Sequence, residues 1–544
     1  MLSDGPLDVL TGDYLAELTM LILARDRRRD PAAGFASTFL RQMEDCLGLA
    51  MQHGVRLVTN AGGVNPAGLA DALRRLADRL GLSVQIGHVE GDAVDRPGAL
   101  SANAYLGAFG IAACLRGGAD VVVTGRVTDA SLVVGPAIAH FGWARDDLDA
   151  LAGATVAGHI LECGAQATGG NFAFFSELPD GARHPGFPIA EIAADGSSVI
   201  TKHPGTGGAV TPETVTAQLL YEIASPGYLG PDVVAHLDTV QLRSDGTDRV
   251  AVVGVRGSPP PPALKVGLAE LTGYRNAMTF VLCGLDIEAK AALVRAQLEA
   301  AIGADGLTWR LARTDHPDAD TEEAACAMLS VHVHDADPER AGRRFSGAAV
   351  ELALASYPGC TLTTPPGDAR PAGVFRSELV PQDAVEQVAV LPSGARVAVP
   401  PPERTAPPER TTAPVPDAPV APELTVEPPR DPGWPTALGR VVGARSGDKG
   451  GDANLGVWAR TAVGHAWLRE FLTVERLKQL LPECAARPVT RHELPNLRAV
   501  NFVIDGLLGD GVAASTRFDP QAKALGEWLR ARVVPIPDAV LEAR

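Results

Sequence analysis

The stretch RLVTNAGGVNPAGLADALRRLADRL, residues 56–80, decides the fold class. The apolar run at 55–59 predicts a strand, and the glycine-rich residues 60–66 predict the loop that follows it. Leucines then recur at helical spacing, at positions 69, 73, 76 and 80. A strand, a loop and an amphipathic helix in this order are typical of a parallel sheet covered by helices.

The same order of elements recurs further along the chain. Residues 119–124 predict a second buried strand, and a helix that carries Leu132, Val133 and Ile138 follows it. Strands that alternate with helices predict an α/β fold whose parallel sheet has helices on both faces. From about residue 240 hairpin and helix signals replace this alternation, beginning with a turn at Asp245, so we expect an α+β half of ferredoxin-like character.

A proline-rich segment divides the chain. Residues 400–435 contain many prolines and few bulky apolar side chains, which predicts a semi-rigid linker. The prediction is therefore a body at 1–399 with a soft internal boundary near 240, a linker at 400–435, and a small ferredoxin-like α+β module at 436–544.

The amino-acid composition limits the binding partners and the cellular compartment that can be expected for this protein. The 544 residues include 65 acidic and 48 basic side chains, and the formal charge of −17 argues against nucleic-acid binding. The seven cysteines form no C-x-x-C pair, which predicts neither a disulfide framework nor a structural zinc site. The N-terminal segment has the wrong charge order for a signal peptide, and no run of about 18 apolar residues predicts a membrane span. We expect a cytoplasmic protein, in a homo-oligomer, with no membrane partner.

Three loops rich in Gly, Asn, Thr and Asp follow predicted strands, at 60–66, 124–129 and 162–172. Loops at the carboxyl ends of parallel strands bind ligands, because backbone N–H groups and helix dipoles favour anions there. The candidate binding residues in two of these loops are Asn60, Gly62, Gly63, Thr168 and Asn171. The alternative is that the glycines only form tight turns. None of the loops matches a P-loop or a dinucleotide fingerprint, so no cofactor is predicted.

Four residues in these loops carry candidate chemistry. Arg126 follows a predicted buried strand and has the guanidinium geometry that clamps a carboxylate or phosphate. Asp129 is either a catalytic group or the N-cap of the next helix. Glu162 is a candidate acid or base, and Cys163 is a candidate nucleophile whose alternative role is to pack the sheet.

Two further segments contain basic or titratable side chains that could act in a binding, catalytic or metal site. Lys202 and His203 precede a glycine-rich turn, where they are candidates for polarising a substrate oxygen and moving a proton, although a loop histidine also serves structural roles. His332 and His334 share one face of a predicted strand, but no third ligand is evident, so no metal site is predicted.

The most concentrated polar signal lies at residues 444–456, ARSGDKGGDANLG. This loop is richer in glycine and charge than a hairpin needs, and it predicts phosphate or carboxylate binding. The candidate binding residues are Arg445, Ser446, Asp448 and Lys449. The competing interpretation is a long decorated hairpin or an interface loop.

Seven ordered motifs resemble the acyclic terpene utilisation (AtuA-like) family, including its fused C-terminal ferredoxin-like domain. They are TGDYLAELTM, NAGGVNP, TGRVTDASL, LECGAQATGGNF, KHPGTGG, YEIASPGYLGPDV and RSGDKGGDANLGV. The resemblance implies a role in the catabolism of acyclic terpenes or other branched acids beside acyl-CoA enzymes, and it assigns no catalytic residues. Family members begin with an additional strand and glycine- and serine-rich loop ahead of the segment equivalent to residues 5–8, which this sequence lacks. We therefore expect either a different start codon or a sheet without that strand.

Two functions follow as expectations. The first is an enzyme acting on a branched acyl-CoA or related carboxylate by hydration, dehydration or carbon–carbon lysis, with Arg126, Glu162, Lys202 and His203 in one site that Asp448 and Lys449 close. The second is a non-catalytic accessory or scaffold subunit of an acyl-CoA carboxylase or a related complex. Acyl transfer through a Cys163 thioester is a third possibility.

Overall fold

The computed structural model describes residues 1–365, 367–406 and 426–543. The chain divides into two compact units. The first comprises Met1–Ala269, Phe375–Val512 and Asp519–Arg544, and the second comprises Glu270–Val374 and Ala513–Phe518. The middle of the predicted linker, residues 407–425, lies outside the described residues. The division into 1–399, 400–435 and 436–544 stays a prediction.

Six strands form the central sheet of the first unit. They are β1 (Val9–Gly12), β2 (Arg56–Thr59), β3 (Ile86–Glu90), β5 (Val121–Thr124), β18 (Gln387–Val390) and β19 (Arg396–Val399). Their order across the sheet is β1, β2, β5, β3, β18, β19. The first four are parallel, and β18 and β19 continue the sheet in antiparallel pairing. Parallel pairing brings the carboxyl ends of β1, β2, β5 and β3 to the same edge of the sheet, so the loops after them lie together.

Seven helices accompany this half of the chain. They are α1 (Glu17–Arg29), α2 (Ser37–His53), α3 (Pro66–Leu80), α4 (Phe109–Arg116), α5 (Ser131–Phe141), α6 (Leu148–Leu161) and α7 (Pro212–Leu219). In the described part of the chain, none of the helices combines the length and the apolar character that crossing a membrane requires.

The helix predicted from the leucine spacing is confirmed as α3. Asn65 caps its first turn, where the side-chain oxygen accepts an N–H at 3.1 Å, and Gly81 ends it in the left-handed region at φ 69°. Its buried side includes the leucines at 69, 73 and 76. Thr211 caps α7, where its side-chain oxygen accepts the N–H of Thr214 at 3.2 Å.

Two smaller antiparallel sheets complete the N-terminal part of the first unit. One contains β6 (Pro188–Ile192), β7 (Ser198–Lys202), β10 (Gln241–Ser244) and β11 (Val250–Val253). The other contains β8 (Gly227–Leu229), β9 (Val234–His236) and β12 (Arg256–Ser258). The hairpin predicted around Asp245 is confirmed by the pairing of β10 with β11.

The C-terminal region is a four-stranded antiparallel sheet with its own apolar core. Its strands are β21 (Val442–Lys449), β22 (Asp452–Ala459), β23 (Val489–Leu494) and β24 (Ala499–Ile504). Their order across the sheet is β21, β22, β24, β23. A second pair consists of β20 (Trp434–Ala437) and β25 (Val533–Ile536). The helices are α10 (Ala462–Phe471), α11 (Val474–Leu480), α12 (Leu525–Arg530) and α13 (Asp538–Glu542). Leu455 and Phe502 face each other across β22 and β24 and are fully buried.

The second unit has a separate core. Two strands, β13 (Ala263–Cys283) and β17 (Arg370–Pro381), begin in one unit and end in the other. In the first unit, β4 (Ser101–Ala104) pairs with residues 266–269 of β13. The second unit adds β14 (Leu307–Ala312), β15 (Cys326–Asp335), β16 (Thr361–Leu362), α8 (Ile287–Ile302) and α9 (Phe345–Glu351). Its core includes the buried Phe280, Leu329 and Phe345.

Candidate functional site

The loops after the parallel strands are joined to each other by side chains. Asn60, in the loop after β2, donates from Nδ2 to Oδ1 of Asp13 at 2.7 Å. Its Oδ1 accepts the backbone N–H of Tyr14 at 2.8 Å. Asp13 and Tyr14 follow β1, so Asn60 fixes the loop of the neighbouring strand. The buried Asn60 therefore positions the Asp13 carboxyl group.

A buried carboxylate holds the loop that carries Arg126. Oδ2 of Asp92, which follows β3, accepts the backbone N–H of Arg126 at 2.9 Å and Nδ2 of Asn103 at 2.8 Å. The Arg126 guanidinium donates to Oδ1 of Asp129 at 2.7 Å, and its Cζ lies 4.0 Å from the centre of the Tyr105 ring. Arg126 is thus fixed by an ion pair and a cation–π contact while it is almost fully buried.

The last turn of α6 presents a histidine–glutamate pair. Nδ1 of His159 lies 2.9 Å from Oε1 of Glu162, and both side chains are buried. Burial, together with the positive charge of Lys449, lowers the pKa of His159 to about 4, so the imidazole is neutral at pH 7. Burial and the nearby carboxyl of Asp129 raise the pKa of Glu162 well above its ordinary value. Glu162 is therefore a carboxylic acid that retains its proton at a pH where an ordinary glutamate is ionised.

The C-terminal region supplies two charged side chains from the tip of the β21–β22 hairpin. Lys449 donates from Nζ to the backbone oxygen of Glu222 at 2.8 Å. Burial and the carboxyl of Glu17 raise the pKa of its neighbour Asp448 to about 6, against the effect of Lys449. Burial also lowers the pKa of Lys449, and Lys265 acts in the same direction.

These groups belong to one assembly of ionisable side chains, which we call the ionic cluster. Each member is close enough to another to perturb its pKa or to be perturbed by it. The cluster contains six carboxyl groups, three cations and one tyrosine: Asp13, Glu17, Asp129, Glu162, Glu222, Asp448, Arg126, Lys265, Lys449 and Tyr105.

The composition of the ionic cluster forces some carboxyl groups to stay protonated. Full ionisation would leave an excess of three negative charges in a poorly solvated region, which is unfavourable. Burial and the Asp129 carboxylate raise the pKa of Asp13 to about 8, although Arg126 and Asn60 oppose the rise. Burial also raises the pKa of Glu17 and of Glu222. Protonated and ionised carboxyl groups therefore coexist near neutral pH, as acid–base chemistry requires.

A large groove reaches the ionic cluster. It has a volume of about 1750 Å³ and runs along β1, the terminal strand of the central sheet. Asp13, Asp129, Glu162 and Cys163 line it. Apolar side chains from β1, α5 and α6 form much of its wall, among them Leu10, Leu132, Val133, Pro136, Phe141 and Leu161. The groove therefore offers an apolar surface and a set of carboxyl groups to one ligand.

Two protein-family models match this chain. A family model described as "Acyclic terpene utilisation family protein AtuA" matches residues 1–98 and 94–391. The chain belongs to the AtuA family. A second model, the AtuA ferredoxin-like domain, matches residues 436–535 of this AtuA-family chain. A search of curated proteins and a search of solved structures each gave no significant match.

The AtuA-family chain brings part of the predicted site together. Arg126, Asp129, Glu162, Asp448 and Lys449 all belong to the ionic cluster. The suggestion that Asp129 caps α5 is wrong, because no side chain caps that helix and the Asp129 carboxylate binds Arg126 instead.

Lys202 and His203 line the groove but are bound to other partners. Nζ of Lys202 lies 2.9 Å from Oδ2 of Asp248 and donates to the backbone oxygen of Thr206 at 2.7 Å. The His203 ring packs against Gly5, where a Cβ would lie 2.6 Å from it. The expectation that Lys202 and His203 act in one site with Arg126 and Glu162 stays a prediction. The contacts of Lys202 and His203 are those of residues in the groove wall.

Cys163 has an environment that disfavours a thiolate. Burial raises the pKa of its thiol, and the carboxyl groups of Glu162 and Glu222 raise it further. Among the predicted catalytic residues it is the one whose surroundings suit the predicted chemistry least.

Several predicted binding residues have structural contacts. A Cβ on Gly62 would lie 2.4 Å from the backbone oxygen of Thr124, and Gly63 has a φ of 54°, so both positions require glycine. The hydroxyl of the buried Thr168 lies within hydrogen-bond distance of the backbone oxygens of Ala165 and Gly186. Asn171 occupies an exposed turn with a φ of 56°.

Arg445 and Ser446 also serve packing. The Arg445 guanidinium lies 4.2 Å from the centre of the Tyr221 ring and donates to Oε1 of Gln166. Ser446 accepts the N–H of Gly526 at 2.9 Å. Residues 444–456 therefore form a long hairpin rather than a loop, because Arg445 and Ser446 lie in β21 and residues 452–456 lie in β22. The tip of this hairpin supplies Asp448 and Lys449.

Sequence reasoning missed half of the ionic cluster: Asp13, Glu17, Tyr105, Glu222 and Lys265. Asp13 directly follows β1, in the motif TGDYLAELTM that carried the family resemblance. His159 had no usable signal, because it lies inside the apolar run of α6 and suggests a core residue. Within residues 1–365, 367–406 and 426–543, no group of three or more His, Cys, Asp and Glu side chains has the arrangement of a metal site.

Proposed function

We propose that this protein is an enzyme that adds water to, or removes water from, an acyl-CoA thioester with a branched or acyclic terpenoid chain; carbon–carbon lysis by the same acid–base groups is the closest related reaction. The observation that carries the proposal is a single groove with an apolar wall that also exposes Asp13, Asp129 and Glu162. A branched hydrocarbon fits the wall, and carboxyl groups are the side chains that exchange protons with a reacting carbon.

The two reacting groups differ in their surroundings. Burial raises the pKa of Glu162, and His159 holds its carboxyl group, so it is the proposed acid. Asp129 is ion-paired with Arg126 and is the proposed base. Dehydration needs one group to remove a proton from carbon and another to protonate the leaving hydroxyl, and hydration reverses both transfers.

Positive charge near the carboxyl groups suits an anionic thioester substrate. Arg126, Lys265 and Lys449 lie in the ionic cluster, although the whole chain has a formal charge of −17. Local cations in a partly desolvated site act strongly on a bound carbonyl oxygen or carboxylate. The family name supports a terpenoid substrate.

The test is turnover of a substrate panel. Purified protein is incubated with branched enoyl-CoA and 3-hydroxyacyl-CoA thioesters, and mass spectrometry follows the gain or loss of one water. We expect turnover by the wild type and a loss of about 100-fold or more in Glu162→Gln, which keeps the side-chain shape. Absence of both turnover and binding would overturn the proposal. Co-purification with an acyl-CoA carboxylase, together with loss of that enzyme's activity on deletion, would support an accessory subunit.

A further inference from the structure

Glu222 has a backbone conformation that is unfavourable for its residue type. Its φ is 57°, in the left-handed region that glycine and asparagine adopt most readily. The residue lies between α7 and β8, in the segment YEIASPGYL. A non-glycine residue in this region is strained, and such strain concentrates at functional sites.

Side chains from the C-terminal region hold Glu222 in this conformation. Oδ1 of Asn454 accepts the Glu222 N–H at 2.8 Å, and Nζ of Lys449 donates to the Glu222 backbone oxygen at 2.8 Å. Nδ2 of Asn501 donates to the backbone oxygen of Ile223 at 3.3 Å, and Asn454 and Asn501 are hydrogen-bonded to each other. Both asparagines are fully buried. We call Asn454, Asn501 and Lys449 the backbone clamp.

The charge of Glu222 is also in an unfavourable place. Burial and the carboxyl of Asp448 raise its pKa, and Lys449 and the Tyr221 hydroxyl offset this only in part. The Glu222 carboxyl in turn perturbs the pKa of Glu162, so the two groups lie in the same part of the ionic cluster. A glycine or asparagine at position 222 would satisfy the clamp, which contacts only the backbone, and would avoid both costs.

We propose that Glu222 is a catalytic residue, which the backbone clamp of the C-terminal region orients into the ionic cluster. The proposal rests on the function proposed above. In its protonated form Glu222 gives its proton to the thioester carbonyl oxygen as negative charge develops there, its O–H bond breaks as the new O–H bond forms, and the carboxylate takes the same proton back when the carbonyl bond re-forms. Glu162 and Asp129 keep the two proton transfers of the hydration or dehydration itself.

The test measures stability and turnover in the full chain. Glu222→Gly relieves the backbone strain and removes the carboxyl, and Glu222→Gln removes only the charge. Asp318→Gly is the matched control, because Asp318 has a φ of 52° at an exposed position of the second unit. We expect both Glu222 variants to raise the urea midpoint at pH 7.5, and Glu222→Gly to raise it more than the control does.

The two proposals fail in distinguishable ways. If the substrate panel is turned over, both Glu222 variants should lose about 100-fold or more in kcat, whereas Asp318→Gly keeps the wild-type value. A lower urea midpoint in both Glu222 variants would show a structural role and overturn the assignment. If the wild type turns over none of the panel, the proposed reaction fails. The urea midpoints of the Glu222 variants still show whether the glutamate at position 222 destabilises the native protein.

Discussion

Nδ1 of His159 lies 2.9 Å from Oε1 of Glu162, one helical turn away on α6. Because burial keeps His159 neutral, it acts as a fixed hydrogen-bond partner of Glu162 rather than as a proton carrier. We expect His159→Leu to lower kcat by about 10- to 100-fold and to shift the limb of the pH–rate profile that reports Glu162. His316→Leu, at an exposed loop position, is the control. An unchanged profile would contradict the assigned role.

Asp13 makes stability depend on pH. Its pKa rises from the ordinary 3.8 to about 8 in the folded state, so the native protein keeps a proton that the unfolded chain releases. This contribution to stability is fully present below the unfolded-state pKa and is lost as the pH rises through about 8. We therefore expect the free energy of unfolding to fall between about pH 4 and about pH 8 and to level off above that.

Asp13→Asn isolates this effect, since an amide oxygen still accepts from Asn60. The variant should flatten the pH dependence and gain about 2 kcal/mol at alkaline pH, less than the full shift implies because Asp13 is only half-buried. Urea denaturation at several pH values measures both. Asp8→Asn, at an exposed position, should keep the wild-type slope.

Arg126, which is buried, and Asp129, which is half-buried, form an ion pair that a double-mutant cycle can quantify. Arg126→Met should cost about 3 kcal/mol, because it leaves the Asp129 carboxylate without its partner. Asp129→Asn in the same chain should recover part of that loss. Urea midpoints of the two single variants and the double variant give the coupling energy. A coupling of about zero would mean that the ion pair does not stabilise the native state.

Gly447 allows the C-terminal sheet to approach Tyr221. A Cβ at this position would lie 2.4 Å from Cε2 of the Tyr221 ring, so Gly447→Ala must displace the segment that carries Glu222. We expect a loss of about 1–3 kcal/mol in unfolding free energy and reduced turnover. Gly347→Ala is the matched control, because Gly347 lies in α9 with open space at its Cβ. Equal stability of the two variants would contradict close packing at Gly447.

Local patterns predicted the elements that local physics determines. The leucine spacing of α3 and the hairpin at Asp245 are both present, because each depends on residues near in sequence. The antiparallel addition of β18 and β19 to the central sheet was not predictable, since it joins residues 387–399 to β3, about 300 positions away.

The residues of the candidate site divide in the same way, into those with a local sequence signal and those placed by distant contacts. Arg126 was identifiable because glycine-rich loops after strands mark ligand sites. Glu162 was identified on the same argument, but the placement of its loop after a strand is wrong, because Glu162 ends helix α6. Glu222 and Lys265 become functional candidates only through contacts with distant parts of the chain. The polar loop of the C-terminal region was recognised, but sequence alone did not separate Arg445, which packs on Tyr221, from Lys449, which enters the ionic cluster.

Because β13 and β17 pair with each other, the segment between them could be replaced by a shorter connection. The chain leaves the first unit after Ala269 and returns at Phe375, and in that unit the Phe375 ring lies against Gly267 on the neighbouring strand. A tight turn between the two strands would therefore replace Glu270–Val374 without stretching the backbone. In topological terms the main segment of the second unit, Glu270–Val374, is an insertion between two paired strands. Every member of the ionic cluster lies in the first unit, so a minimal protein built this way would retain all ten ionisable groups.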